Sequence, residues 1–300
     1  MVGRLAHTGG VPAQLDRIAD LLADGGVLVL SGAGLSTESG IPDYRGPTGA
    51  LRRSLPMTYQ TFTRDPQARR RYWGRSHLGW RLVRGAQPNA GHRAVAAWAS
   101  AGRLSGIVTQ NVDGLHQAAG ARSVVELHGN LRRVTCLGCH RRTPREELDH
   151  RLRAANPGWE ARVRTVNPDG DATVDEVELE HFAVVDCLDC GGVLKPDVVF
   201  FGENVAAGTV AHCYEMVARS RALVVLGSSL TVFSGLRFVR RAAALGRPVA
   251  IVNQGVTRAD DLATVKVDAP LGSSLTALSG ALARHPQAEP LARHAQAEPA

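Results

Sequence analysis

Apolar and polar positions along this chain follow two rhythms. Leu15, Ile18, Ala19, Leu21 and Leu22 recur at helical spacing, and Gly25-Gly26 closes that segment. Val27-Leu28-Val29-Leu30 follows as a continuous apolar run, the pattern of a strand buried on both faces. Similar runs return at Gly106-Ile107-Val108-Thr109, Val124-Val125-Glu126-Leu127, Leu223-Val224-Val225-Leu226 and Val249-Ala250-Ile251-Val252. Helical segments are predicted between them, at Ala90 to Ala101 and Val210 to Ser220. Short strands alternating with helices predict an α/β fold with a Rossmann-like, doubly wound parallel sheet. The later runs lead directly into polar or small clusters: Gln110-Asn111-Val112-Asp113, His128-Gly129-Asn130, Gly227-Ser228-Ser229 and Asn253-Gln254-Gly255. Ligands of such sheets collect at the carboxyl ends of strands, so these clusters are expected to converge on one crevice.

The first strand run passes into Ser31-Gly32-Ala33-Gly34-Leu35-Ser36-Thr37, a glycine turn suited to presenting backbone N–H groups to a diphosphate. The third glycine of the dinucleotide fingerprint is absent, because Thr37 stands there, and Gly40-Ile41-Pro42-Asp43 cannot continue an ordinary helix. An acidic ribose ligand about 20 residues beyond the turn is also missing, Arg52 and Arg53 standing in that region. These departures disfavour a hydride-transferring dehydrogenase.

Two segments break the alternating rhythm. Residues 46–87 are arginine-rich and predicted helical after Pro66, and residues 131–194 carry Cys136-Leu137-Gly138-Cys139 and Cys187-Leu188-Asp189-Cys190. Two such knuckles predict a closed tetrahedral sulfur site for one structural zinc, with no open position for chemistry. The expected division is a sheet domain from 1–45, 88–130 and 195–282, a helical insertion at 46–87, a zinc-binding small domain at 131–194, and a tail at 283–300. That tail repeats Ala-Arg-His-x-Gln-Ala-Glu-Pro, has no apolar face and is expected to be disordered. Cys213, alone in a helical stretch, reads as a small core residue.

Composition narrows the classes. With 44% hydrophobic and 21% charged residues the chain is globular, and no apolar run approaches the ~20 residues of a membrane span. Four thiols in knuckles and no secretory leader point to the cytoplasm. The net charge of +7 comes almost wholly from arginine, Lys195 and Lys266 being the two lysines. Stacking aromatics do not interleave these arginines, so direct nucleic-acid binding is not expected.

His128 is either a hydrogen-bonded surface histidine or, at a strand end facing the crevice, a general base able to take a proton near neutral pH. Asn111 and Asp113 suit a helix cap or, alternatively, amide-directed binding of a carboxamide. The sequence Gly32-Ala33-Gly34-Leu35-Ser36 with Ser39-Gly40-Ile41-Pro42-Asp43-Tyr44-Arg45, then Thr109-Gln110-Asn111-Val112-Asp113-Gly114-Leu115-His116, Leu127-His128-Gly129, the cysteine pairs, Lys195-Pro196-Asp197-Val198-Val199-Phe200-Phe201-Gly202-Glu203 and Gly227-Ser228-Ser229-Leu230 resembles the sirtuins, in their usual order, over about residues 15 to 280. Arg71-Tyr72-Trp73-Gly74-Arg75, Asn156-Pro157-Gly158-Trp159 and Pro168-Asp169-Gly170-Asp171 resemble the class II branch, which includes bacterial members and the mitochondrial sirtuin-4 type.

The resemblance implies removal of acyl groups from protein lysine with consumption of NAD, releasing nicotinamide and O-acyl-ADP-ribose. His128 would be the general base and Asn111 a catalytic partner. NAD contacts are expected from Gly32, Ala33, Gly34, Ser36, Thr37, Ile41, Pro42, Asp43, Tyr44, Arg45, Gln110, Asn111, Val112, Asp113, His128, Gly227, Ser228, Ser229, Asn253, Gln254, Gly255 and Leu271. Val198, Val199, Phe200 and Phe201 would pair with the substrate peptide as an added strand, the alternative being a core strand. Tyr72 and Arg75, one helical turn apart, are expected to grip an acidic acyl group unless Tyr72 packs in the core. The partners would be acyl-lysine proteins and the chain a monomer. Protein mono-ADP-ribosylation and a non-catalytic zinc-ribbon module are the alternative functions.

Overall fold

The structure, a computed structural model, describes residues 10–46, 56–174 and 179–284. Helix α1 (Val11–Ala23) buries Leu15, Ile18, Ala19 and Leu22, the stripe that the helical spacing predicts. Gly25 and Gly26, both with left-handed φ near 70°, turn the chain into β1 (Val27–Ser31), whose five residues are all buried. The first insertion supplies α2 (Tyr59–Arg64) and α3 (Pro66–Gly85), the latter capped by Asp65, whose carboxylate accepts the Gln67 and Ala68 amides. Then come α4 (Ala90–Ser100), β2 (Leu104–Thr109), α5 (Leu115–Ala118) and β3 (Val124–Glu126).

The second insertion contains β4 (Gly129–Cys136), β5 (Arg142–Pro144), α6 (Arg145–Ala155), the short pair β6 (Thr165–Val166) and β7 (Ala172–Thr173), and β8 (Leu194–Val198). The chain returns to the main sheet through α7 (Ala207–Arg219), β9 (Ala222–Leu226), α8 (Phe233–Ala244), β10 (Val249–Val252), β11 (Val265–Val267) and α9 (Leu271–Leu282). The repeated tail lies outside the described residues from position 285 on, as do Arg52 and Arg53.

The six-stranded sheet has the order β11-β10-β9-β1-β2-β3, and every pair is parallel. The chain winds outward from β1 in one direction and from β9 in the other, so the strand order switches between these two neighbours. Loops leaving a switch point diverge and open a crevice at the carboxyl ends. One hydrophobic cluster, with α1, α4 and α9, covers one face of the sheet, and a second, with α7 and α8, covers the other. Cys213 is fully buried in that second cluster.

The two insertions form one body. Phe62, Tyr72, Trp73, Trp80 and Val83 from the first share a core with Leu131, Val134, Leu148, Leu152 and Phe182 from the second. The Trp73 indole N–H donates to Leu194 O at 3.2 Å, and the buried Arg145 guanidinium stands 5.0 Å from the Trp73 ring centre. Phe62 alone, fully buried among Tyr72, Trp73 and Phe200, contributes about 1.5–3 kcal/mol by removal from water. The antiparallel sheet β5-β4-β8 spans from Gly129 to Val198, so it begins directly after His128 and ends at the Val198–Phe201 run.

Candidate active site

The cradle at the switch point follows from two turns that cross in contact. Gly32 N–H donates to Leu226 O and Gly34 N–H to Gly227 O, both at 2.9 Å. A Cβ at Gly32 would stand 2.7 Å from the Ser228 Cβ, and one at Gly34 would stand 2.9 Å from Gly227 O. Only glycine lets the backbones approach this closely. Two short 3₁₀ turns, Ala33–Leu35 and Thr37–Ser39, replace the helix of an ordinary dinucleotide fold, and Gly40 at φ 82° turns the chain away. The segment beyond Gly40 is thereby free to fold over the crevice.

One cavity of about 870 Å³ lies here. It is lined by Gly32, Ala33, Gly34, Ser36, Thr37, Ile41, Asp43, Tyr44 and Arg45 from the first loop, and by Gln110, Asn111, Val112, Asp113 and His128 from the next two strand ends. Gly227, Ser228, Ser229, Asn253, Gln254, Gly255 and Leu271 close one side, and Val198, Val199, Phe200 and Phe201 another. Pro42, Tyr72 and Arg75 are not among its lining residues.

Buried polar groups organise its floor. Asn111 Nδ2 donates to Gly32 O at 3.1 Å and to Ser36 Oγ at 3.0 Å, while Ser36 Oγ donates to Asp113 Oδ2 at 2.7 Å. Asp113 also accepts the Leu115 amide at 2.8 Å. One carboxylate oxygen thus caps the turn, and the other, held by Ser36, belongs to the cavity-lining row. Behind this row, Ser31 Oγ donates to Thr109 Oγ1 at 2.8 Å and lies 2.8 Å from His116 Nε2, and the His92 ring packs edge-on at 5.3 Å.

The hydrogen bonds of His128 define its tautomer. Nδ1 lies 2.9 Å from Gln110 O, which can only accept, so Nδ1 carries the proton. Nε2 is then an acceptor and takes the hydroxyl of Ser234 at 2.8 Å. Burial pushes the imidazole below its usual pKa, with the Gln110 carbonyl pulling in the other direction. The ring is neutral at physiological pH, with its basic lone pair on Nε2.

The substrate-side wall is tied to this base, since Val199 N–H donates to His128 O at 2.8 Å. Phe200 is buried, as the core-strand alternative expects, whereas Phe201 is 36% exposed at the cavity. Lys195, buried beneath it, donates to Pro196 O at 3.2 Å, to Val198 O and to Glu203 Oε2 at 3.1 Å, and Glu203 in turn accepts the Phe200 amide at 2.8 Å.

Cys136, Cys139, Cys187 and Cys190 bring their sulfurs within 4.8 Å of one another, with Cys136–Cys190 at 3.5 Å and Cys139–Cys187 at 3.8 Å. A zinc ion with four Zn–S bonds of about 2.3 Å needs sulfurs about 3.8 Å apart, so these residues fit that metal.

The acidic-acyl expectation is corrected by two contacts. Arg75 forms a two-pronged ion pair with Asp171 at 2.8 and 3.0 Å, and Tyr72 is 1% exposed among Phe62, Trp73 and Phe200. The guanidinium is neutralised within the protein and the phenol belongs to the core. Several lining residues were not expected at the cavity from the sequence. Ser234 and Arg237 arrive at the start of α8 by its packing, and Pro168 and Asp169 arrive on the β6–β7 turn. Ser234 was the more accessible of these to inference, being a hydroxyl five residues beyond Ser229 at a predicted crevice.

Fold and cavity together define a doubly wound nucleotide-binding protein with a cysteine-ligated metal module. The Sir2 family model matches residues 32–234. NAD-dependent protein deacetylase 1 of Streptomyces coelicolor is 61% identical over 269 residues, which cover 90% of this chain and 90% of that protein. NAD-dependent protein deacetylase 1 of Mycobacterium avium is 50% identical, over 91% of this chain and 98% of that one. A solved structure described as "Structural Basis for the Mechanism and Regulation of Sir2 Enzymes" superposes with a TM-score of 0.73 at 30% identity, over 91% of this chain and 98% of the other. Another, "Sir2 bound to acetylated peptide", gives 0.71 at 26% identity, over 89% and 99%. The chain belongs to the Sir2 family.

Proposed function

We propose that this protein is an NAD-dependent protein lysine deacetylase, transferring the acyl group to ADP-ribose. The observation that carries the reading is the convergence of three parts on one cavity: the glycine cradle, the Asn111–Ser36–Asp113 row, and a neutral histidine with its lone pair directed by Gln110. NAD enters as a consumed substrate, supplying the ribose carbon that accepts the acyl oxygen and the ribose hydroxyl that completes the transfer.

Each group then has a task. Backbone amides of the Gly32–Gly34 turn and the hydroxyls of Ser228 and Ser229 suit a diphosphate. Asn111 and Asp113 suit the carboxamide of nicotinamide, and the loop from Gly40 to Arg45 covers it and excludes water. His128 takes a proton from a ribose hydroxyl at Nε2 once that hydroxyl replaces Ser234 as its partner. The Val198–Phe201 wall receives the peptide, giving affinity through backbone with little sequence choice. The four cysteines hold one zinc ion that stabilises the module.

The Pro168-Asp169-Gly170-Asp171 hairpin and the Trp159 segment support placement in the class II branch. Among the described residues no helix is long and apolar enough to cross a membrane. Thiols placed for metal rather than disulfides favour a reducing compartment such as the cytoplasm.

The test is incubation of purified protein with NAD and acetyl-lysine peptide, measuring nicotinamide and O-acetyl-ADP-ribose. His128→Ala should lower kcat/KM by about 10²–10⁴-fold. No nicotinamide from any acyl peptide would refute the reading, and ADP-ribose retained on protein would favour mono-ADP-ribosylation.

A further inference from the structure

The β6–β7 hairpin brings a carboxyl group to the wall of the cavity that His128 faces. Its turn is closed by Gly170 N–H to Asn167 O at 2.9 Å and by Asn167 N–H to Asp171 O at 2.8 Å. Pro168 and Asp169, at the tip, line the cavity together with Tyr44 and Phe200. Two contacts press the tip onto α3. Arg75 clamps Asp171, and Gly79 lets the turn pass directly over the helix, since a Cβ there would stand 2.2 Å from Gly170 O. Asp169 Oδ1 accepts the Asp171 amide at 3.2 Å, which orients its carboxyl.

The local charge account is asymmetric. Two carboxyl groups share one guanidinium, and that guanidinium is spent on Asp171 in bidentate geometry. Among the described residues Asp169, at the cavity wall, has no ion pair of its own. Tyr44, which lines the cavity with it, is a buried phenol held above its usual pKa first by burial and second by the Asp169 charge. Burial first and Asp171 second raise Asp169 to about 7, so above that pH it is a carboxylate, and a second anion placed beside it would meet like charge.

We propose that Asp169 is the acyl-selectivity residue of this cavity: it rejects acyl chains ending in a carboxylate and admits neutral chains of the same length. The inference rests on the deacylase reading and reverses the acidic-acyl preference suggested by Tyr72 and Arg75. The structural reason is that the hairpin neutralises the arginine and adds a carboxyl in the same step.

Glutaryl- and pentanoyl-lysine peptides carry five-carbon acyl chains that differ in terminal charge, so they separate charge from length. Their kcat/KM values are to be compared at pH 8, where Asp169 is ionised, for the wild type, Asp169→Asn and Asp169→Glu, with acetyl-lysine peptide as reference. The wild type should turn over glutaryl at least tenfold less efficiently than pentanoyl. Asp169→Asn, which keeps an acceptor for the Asp171 amide, should raise the glutaryl-to-pentanoyl ratio at least tenfold, and Asp169→Glu should keep it low. Equal use of both chains by the wild type, or an unchanged ratio in Asp169→Asn, would overturn the proposal. Turnover of acetyl peptide with such a result leaves the deacylase reading standing, whereas no turnover of any peptide would overturn both.

Discussion

His116 is buried at 1% exposure behind the Asn111–Ser36–Asp113 row, and its replacement should remove a defined share of acid sensitivity. Burial first, and the neighbouring His92 second, lower its pKa to about 4, against about 6.5 in an unfolded chain. A depressed pKa contributes stability that is present above 6.5 and is lost as pH falls toward 4. Integrating over that interval, His116 costs the fold about 2 kcal/mol between pH 8 and pH 5, a large part of a total near 5–15 kcal/mol. Asp169, raised to about 7 by burial and by Asp171, works with the opposite sign because the folded state takes up its proton over the same interval. The informative quantity is therefore the difference between two proteins. Urea unfolding of the wild type and His116→Gln at pH 8, 7, 6 and 5 should give stability curves that converge by about 2 kcal/mol toward pH 5, whatever their offset at pH 8. Parallel curves would refute the reasoning. Ser36 joins His92 to Asn111 and Asp113, and Ser31 joins His116 to Asn111 through Thr109, so wild-type activity is expected to fall over the same range.

Three further outcomes follow from the geometry. Gly34→Ala sets a Cβ against Gly227 backbone, with contacts of 2.9 and 3.0 Å, and should weaken NAD binding at least tenfold by calorimetry, unchanged affinity being the contrary result. Lys195→Met leaves Glu203 and two carbonyls without their buried cation, which should cost about 3–5 kcal/mol in denaturant unfolding and raise KM for peptide more than it lowers kcat; a stable variant with normal KM would show that the wall does not need this tie. Elemental analysis should find one zinc per chain, and Cys136→Ser should lose it with a drop in melting temperature, because Cys136 and Cys187 also belong to the core shared by both insertions; metal-free protein that melts unchanged would contradict this.

The amino-acid sequence by itself determined what short-range pattern can carry. The apolar runs at Val27, Leu223 and Val249 are strands buried on both faces, and those at Gly106 and Val124 extend the same parallel sheet, the Val124 strand half-buried at its edge. The paired cysteines three apart make knuckles, and residues from each polar cluster after the strands, though of His128-Gly129-Asn130 only His128, reached one cavity because parallel strands end on the same side of a sheet. Local spacing does not state which distant residues meet. Tyr72 and Arg75 have the spacing of a carboxylate grip, yet Asp171, 96 residues from Arg75, takes the guanidinium, and the aromatic core takes the phenol. The partner of His128 at Nε2 is Ser234, 106 residues away, brought there by the packing of α8. The two insertions read as separate modules because their apolar residues are far apart in the chain, and they became one body because neither could bury its aromatic face alone. Which groups remain available to a substrate was decided only in three dimensions, by long-range pairs that satisfy some charges and leave Asp169 at the cavity wall.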